Sequence, residues 1–145
     1  DILKDKKCNV ILTPHIKEFS RISGKTAGEV LAAPVACAQQ LAREYAATIV
    51  LKGAGTVITD GRNIVINTRG CSALAKAGSG DMLAGYMCGS IARGLTPFEG
   101  AVCAAYTLGA AAELAAGEVT EYCATADDIL KKIPFAVKSF CVQAH

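Results

Sequence analysis

The stretch PVACAQQLAREYAATIVLKGAGT, residues 34–56, decides the fold class. Pro34 has no backbone N–H, so it suits the first turn of a helix and interrupts whatever helix begins within residues 26–33. After it, Ala38, Leu41 and Tyr45 recur at helical spacing and give residues 35–46 an apolar inner stripe. The β-branched run Thr48-Ile49-Val50-Leu51 then reads as a buried strand, ending at Lys52-Gly53-Ala54-Gly55-Thr56. Upstream, Asn9-Val10-Ile11-Leu12 is a second short strand, stopped by Thr13-Pro14-His15. Strand, helix, strand is the unit of a parallel sheet, and the predicted class is α/β.

Working outward, Val57-Ile58-Thr59 and Ile64-Val65-Ile66 flank Asp60-Gly61-Arg62-Asn63, a hairpin signal that adds antiparallel pairing. A helix is predicted over residues 81–93, stopped by Gly94; Gly85 and Gly89 lie four apart on one face and would let another element approach closely. Thr96-Pro97-Phe98-Glu99 is a capping box with proline at the first helical position, opening a helix to Gly117. A last short helix is expected over residues 127–132, before Pro134. His15 and Glu18 are placed in a loop at the end of the first strand. With no repeat and no linker, the chain reads as one unit. About four strands are visible, and a parallel sheet needs both faces covered. Either another copy or a preceding segment is expected to complete it, and the absence of an initiator Met suggests that the natural chain starts upstream.

Composition narrows the function classes. Of the 145 residues, 52% are hydrophobic and 19% charged, which describes a packed protein and excludes disorder. A net charge of +2, no basic cluster beyond Lys4-Asp5-Lys6-Lys7, and only four Phe and four Tyr argue against nucleic-acid binding. Charges, Gly and Pro break the Ala-rich stretches, so no membrane span and no signal peptide is predicted. Seven scattered cysteines, without a C-x-x-C pair, read as buried reduced thiols of a cytoplasmic protein, with no protein metal site.

Two Gly-rich segments could carry chemistry. Ala77-Gly78-Ser79-Gly80-Asp81 precedes a helix, where free amides and the helix dipole make an anion site. A carboxylate beside bound phosphate repels it, but makes sense as a base on a hydroxyl that attacks phosphorus. The same four residues from Gly78 are equally explained as a tight turn with Asp81 as helix cap. Lys52-Gly53-Ala54-Gly55-Thr56 ends a strand, where open α/β sheets bind ligands, and offers a charge, two bare backbone positions and a hydroxyl. A plain strand-to-strand loop accounts for it too. Gly24-Lys25-Thr26 is no P-loop, because the required earlier glycine would fall at Phe19, and no G-x-G-x-x-G occurs.

Three segments in order, Thr13-Pro14-His15-Ile16-Lys17-Glu18-Phe19-Ser20-Arg21, Leu51-Lys52-Gly53-Ala54-Gly55-Thr56 and Leu74-Ala75-Lys76-Ala77-Gly78-Ser79-Gly80-Asp81-Met82-Leu83-Ala84-Gly85, resemble the ADP-dependent NAD(P)H-hydrate dehydratases of the ribokinase-like superfamily. The resemblance runs over essentially all of residues 1–145 but corresponds to the C-terminal portion of that single domain. It implies a ribokinase-like three-layer α/β/α fold, with a mostly parallel sheet and an antiparallel hairpin, present as a C-terminal fragment. It implies ADP-dependent (ATP in some members) dehydration of hydrated NADH or NADPH, releasing AMP and phosphate, with Mg²⁺ bridging the phosphates. His15 and Asp81 would face the hydrated nicotinamide nucleotide, with Asp81 as catalytic base. Lys52, Gly53, Ala54, Gly55 and Thr56 would hold the adenine nucleotide, and Ala77, Gly78, Ser79 and Gly80 the transferring phosphoryl group. Lys17, where the family commonly has Gly, and Cys71-Ser72, where Asn-Pro is common, depart from its pattern. The implied partners are the missing N-terminal half or a second copy, and the 145 residues alone are expected to show little turnover. A small-alcohol kinase of the same superfamily, and an inactive nucleotide-binding fragment, are the alternative readings.

Overall fold

The computed structural model describes Leu3 and residues 5–141. In order, these form β1 (Ile11–Leu12), α1 (Ile16–Ser23), α2 (Ala27–Ala32), α3 (Pro34–Tyr45), β2 (Thr48–Leu51), β3 (Thr56–Thr59) and β4 (Ile64–Asn67). A single 3-10 turn (Ser72–Leu74) is followed by α4 (Ser79–Ala92), α5 (Pro97–Val119) and α6 (Ala126–Cys141). Two compact units result: one holds the described residues up to Asn67 together with Leu95–Val102, the other Thr68–Gly94 and those from Cys103 onward.

The first unit is built on a sheet of order β1-β2-β3-β4. β1 runs parallel to β2, whereas β2–β3 and β3–β4 are antiparallel. Among the described residues the sheet is therefore mixed, with one parallel pair, and not mostly parallel. The cause is loop length: Lys52–Thr56 and Thr59–Ile64 are separated by tight turns, far too short for the crossover that parallel strands require. In the second turn the Asp60 carboxylate accepts the N–H groups of Arg62 (2.9 Å) and Asn63 (2.7 Å). Gly61 there has φ +92°, and a Cβ at that position would stand 2.8 Å from Arg43 Cγ.

Pro34 does open α3, and Ala38 and Leu41 on its inner stripe are buried with Ile49, Leu51 and Val57 of the sheet. Tyr45 packs at the edge of the same core. Phe19, from α1, is fully buried there. Each such large apolar side chain contributes about 1.5–3 kcal/mol on burial. The α1 residues differ from the predicted loop. His15 and Glu18 form a capping box, Ile16 and Phe19 turn the same face to the core, and Gly24 closes the helix in the left-handed region at φ +70°.

In the second unit, Arg69 Nη2 pairs with Glu113 Oε2 of α5 at 2.7 Å, and Glu113 Oε1 accepts the Gly70 N–H at 2.6 Å. The Arg69 guanidinium lies 5.7 Å from the centre of the Tyr106 ring, which in turn meets Phe140 of α6. Helix α6 runs straight through Pro134, against the expectation that it stops there. Pro134 removes one helical hydrogen bond, a local cost of about 3 kcal/mol. The amphipathic face that buries Ile129 and Ala136 on either side offsets it.

Two further expectations change, that of buried thiols and that of a close approach at Gly85 and Gly89. Helix α5 is continuous through Gly100 and Gly109, and by length and composition it is apolar enough to cross a membrane, although most of that stretch is buried inside the structure. All seven cysteines are free, but only Cys37 is buried; Cys8, Cys88, Cys123 and Cys141 are exposed. No element approaches the Gly85/Gly89 face among the described residues: a Cβ at either glycine meets nothing within 4 Å. Gly85→Ala and Gly89→Ala should each raise the stability of this chain by about 0.5–1 kcal/mol through helix propensity, measured by urea unfolding.

Candidate functional site

In the first unit the carboxyl ends of β1 and β2 meet at His15 and Lys52. The two residues form a parallel bridge beyond the strands, and the Lys52 N–H donates to the Pro14 carbonyl at 2.9 Å. Pro14 is buried, so the turn that presents the exposed His15 is fixed from below. The His15 N–H donates to Glu18 Oε2 at 2.8 Å, and the Glu18 N–H donates to His15 Nδ1 at 3.2 Å. With Nδ1 accepting, Nε2 carries the proton of the neutral ring. Glu18 also stands 3.4 Å from His15 Nε2 and 3.9 Å from Lys52 Nζ.

Glu18 thus links two predicted site residues, although it was not itself assigned a role. The His-x-x-Glu spacing of a capping box was the signal that could have found it. Lys17 lies within α1, so the departure from glycine asks nothing unusual of the backbone.

The loop after Lys52 is open. A Cβ at Gly53 would meet nothing within 4 Å, and one at Gly55 only the Ile66 side chain, at 3.6 Å. Ala54 is exposed between them. The Thr56 hydroxyl is engaged locally, donating to the Gly53 carbonyl at 3.2 Å and accepting its N–H at 3.4 Å, so it closes the turn. A cavity of about 460 Å³ at the other end of β1 and β2 is lined by Val10, Thr48, Asp60 and Thr96. Its Asp60 carboxylate is already held by the hairpin turn.

In the second unit, α4 begins at Ser79, two residues before the predicted start. Gly78 is the cap, in the left-handed region at φ +89°, and no side chain closes the helix end. Asp81 is exposed in the first turn and is not the cap, which removes the capping explanation of its presence. The first helical bond is from Met82 N–H to the Gly78 carbonyl, at 3.0 Å. The N–H groups of Gly80 and Asp81 precede that ladder and point out of the helix start, where an anion is favoured. Ala77 and Gly80 are exposed, and Gly78 and Ser79 half-buried.

The Cys71-Ser72 departure has a local role. The Ser72 N–H and hydroxyl both bond Glu121 Oε2, at 3.0 and 2.5 Å. Those bonds hold the Glu121 carboxyl below its ordinary range, as bonds from the His15 backbone chiefly do for Glu18, with Lys52 nearby adding to the effect. Capping bonds from Thr26, Thr96 and Thr125 lower Glu29, Glu99 and Asp128 likewise. A carboxyl depressed by folding stabilises above its unfolded value and loses that contribution as pH falls through the folded one. The midpoint of thermal unfolding should therefore hold steady above about pH 4.5 and drop progressively below it, followed by circular dichroism across an acid titration.

A family model described as NAD(P)H-hydrate dehydratase matches residues 1–135. The ADP-dependent (S)-NAD(P)H-hydrate dehydratase of Cenarchaeum symbiosum is 38% identical over 132 residues, which are 91% of this chain and 46% of that protein. The crystal structure of the ADP/ATP-dependent NAD(P)H-hydrate dehydratase from Bacillus subtilis, co-crystallised with ATP and Mg²⁺, superposes with a TM-score of 0.85 at 34% identity, covering 91% of this chain and 48% of that one. A ribokinase-like superfamily protein from Enterococcus faecalis matches with a TM-score of 0.73 at 27% identity, over 90% of this chain and 44% of that one. The chain spans about half the length of these proteins. The α/β fold of ribokinase-like type agrees with the family match, and the chain belongs to the NAD(P)H-hydrate dehydratase family.

Proposed function

We propose that residues 1–145 are the C-terminal portion of a single ribokinase-like domain that dehydrates hydrated NADH or NADPH at the expense of ADP or ATP. The observation that carries this reading is the start of α4: Gly78 leaves the helix uncapped, and Asp81 stands exposed in the first turn. At this helix start, free amides stand beside an exposed carboxylate that makes no capping hydrogen bond.

In this reading Lys52 and the bare backbone of Gly53, Ala54 and Gly55 hold the adenine nucleotide, with Thr56 keeping the loop closed. The loop backbone of residues 77–80, with the free N–H groups at the helix start, receives the transferring phosphoryl oxygens, donors set in place before charge develops. Asp81 takes the proton from the substrate hydroxyl as that oxygen forms its bond to the terminal phosphorus. With ADP as donor, AMP leaves; the new phosphate ester then departs as inorganic phosphate while the neighbouring ring carbon gives up a proton to water, and the dihydronicotinamide double bond is restored. His15, oriented by Glu18, contacts the hydrated nucleotide through its exposed Nε2 edge.

No group of three metal-ligating side chains occurs among the described residues. That fits Mg²⁺ held largely by the nucleotide's own phosphates and by water. When bound, Mg²⁺ would neutralise phosphate charge. Completion by the rest of the domain or by a second copy belongs to the same proposal. It is supported by the edge position of β1 and by the uncovered face of α4 at Ala84, Gly85, Cys88 and Gly89. A reducing, cytoplasmic location accords with seven free thiols.

The deciding experiment incubates the full-length protein with hydrated NADH and ADP and follows recovery of the reduced-nicotinamide absorbance together with AMP. Recovery with stoichiometric AMP is expected. If ADP is left untouched while a panel of small alcohols is phosphorylated by ATP, the kinase reading replaces this one.

A further inference from the structure

The loop that opens α4 has almost nothing of its own to hold it. Ala77, Gly78, Ser79 and Gly80 carry no side chain large enough to anchor a backbone, yet an amide cradle works only if its N–H groups are fixed before the anion arrives. Immediately before them stands Lys76. Its ammonium donates to the backbone carbonyls of Glu121 (3.1 Å), Tyr122 (2.7 Å) and Ala124 (2.7 Å). An ammonium has three donors, and all three are used, each on a carbonyl oxygen. These carbonyls belong to the turn after α5, which is pinned in turn by Thr120 N–H to the Ala116 carbonyl and Ala124 N–H to the Thr120 carbonyl.

A second tie runs beside the first, from the Ser72 N–H and hydroxyl to the Glu121 carboxylate. Beyond Lys76, Gly78 reaches the start of α6, where a Cβ on it would lie 3.5 Å from Ala126 Cβ. The loop is therefore held to one turn of chain at Ser72 and Lys76, with Lys76 directly adjoining the first cradle position. Hydrogen bonds from a charged donor are about twice as strong as neutral ones, and three converge here.

We infer that Lys76 is a positioning residue: its ammonium, seated in the three carbonyls of residues 121, 122 and 124, fixes the anion-cradling loop before α4. It does not touch the substrate in this role. The inference rests on the reading of residues 77–81 as a phosphoryl site, but it makes a claim about loop order that is independent of any ligand.

The test reads both levels. Lys76→Met keeps the apolar stem and removes the donors. Amide hydrogen exchange at Ser79 and Met82 of the 145-residue chain, whose N–H groups are bonded within the loop, should accelerate about tenfold or more, while the amides of β2 keep their wild-type rates as a control for global unfolding. In the full-length protein the same substitution should weaken ADP binding by about tenfold. Lys76→Ala should behave alike, and millimolar propylammonium, which restores the missing three carbons and the ammonium, should slow exchange at Ser79 and Met82 again. Unchanged exchange at these residues, or acceleration shared equally by β2, overturns the inference. Local acceleration in a full-length protein whose wild-type form binds no ADP would remove the phosphoryl assignment and leave the clasp standing.

Discussion

Asp81→Asn should lower the dehydratase turnover of the full-length protein by about 10²–10⁴-fold, the usual range for removing a general base, with ADP affinity changed only a few-fold. The two side chains have nearly the same shape, so the exchange isolates the ability to accept a proton. Asp81 is exposed, does not cap α4, and among the described residues has no hydrogen-bond or ion-pair partner whose loss would disturb the helix. A carboxylate near a phosphoryl group also repels it, so ground-state nucleotide binding has no reason to fall when the charge is removed. The signature is a loss in kcat with little change in the dissociation constant for ADP. Equal kcat for both proteins would end the role assigned to Asp81. Loss of nucleotide binding with kcat unaltered would make it a binding residue instead.

Gly109→Ala should destabilise the chain by about 3 kcal/mol, and lower its melting temperature by roughly 6–12 °C. Helix propensity alone argues the other way, since Ala is favoured over Gly in a helix interior by about 1 kcal/mol. Packing decides the sign. A Cβ on Gly109 would stand 2.6 Å from the Arg69 carbonyl oxygen, 2.7 Å from its carbon and 2.8 Å from Arg69 Cβ. These are backbone and first side-chain atoms, so no rotamer change relieves them. Nor can the segment drift away cheaply, because Glu113 holds the Arg69 side chain and the Gly70 N–H at once. The exposed glycines of α4 supply the contrast: the same substitution at Gly85 or Gly89 meets open space and should stabilise. A melting temperature for Gly109→Ala at or above that of the wild type would show that the Arg69 segment is free to move.

The contrast between these glycines shows where legibility stops. Gly85, Gly89 and Gly109 are alike as letters in an apolar helix, and the four-residue spacing of the first two suggested the closer approach. The close approach is instead at Gly109, to a backbone 40 positions away, and that pairing leaves no local trace. The Lys76 contacts have the same character, with partners 45 to 48 positions distant. His15 and Lys52 of the first unit and Asp81 of the second were each legible as residues with chemistry. The link through Glu18 was not, because an expected loop hid the helix that places it.

What the amino-acid order determined by itself was everything that physics settles within a few residues. That covers the proline start of α3, the β-branched strand β2, the tight turn at Asp60 and Gly61, the capping box at Thr96, and the three motifs that mark the family. Propensity, capping and turn chemistry act between near neighbours, so these features survive without knowledge of the rest of the chain. Tertiary structure decided the remainder. Burial of Phe19 carried residues 16–23 into a helix, and the apolar face around Ile129 and Ala136 drew α6 past a proline that locally opposes it. Helix α4 begins two residues early, after Gly78 in the left-handed region, which leaves Asp81 an exposed carboxylate of the first turn and not the cap. Each of these outcomes is a sum over contacts between distant residues, and such a sum has no counterpart in a local pattern.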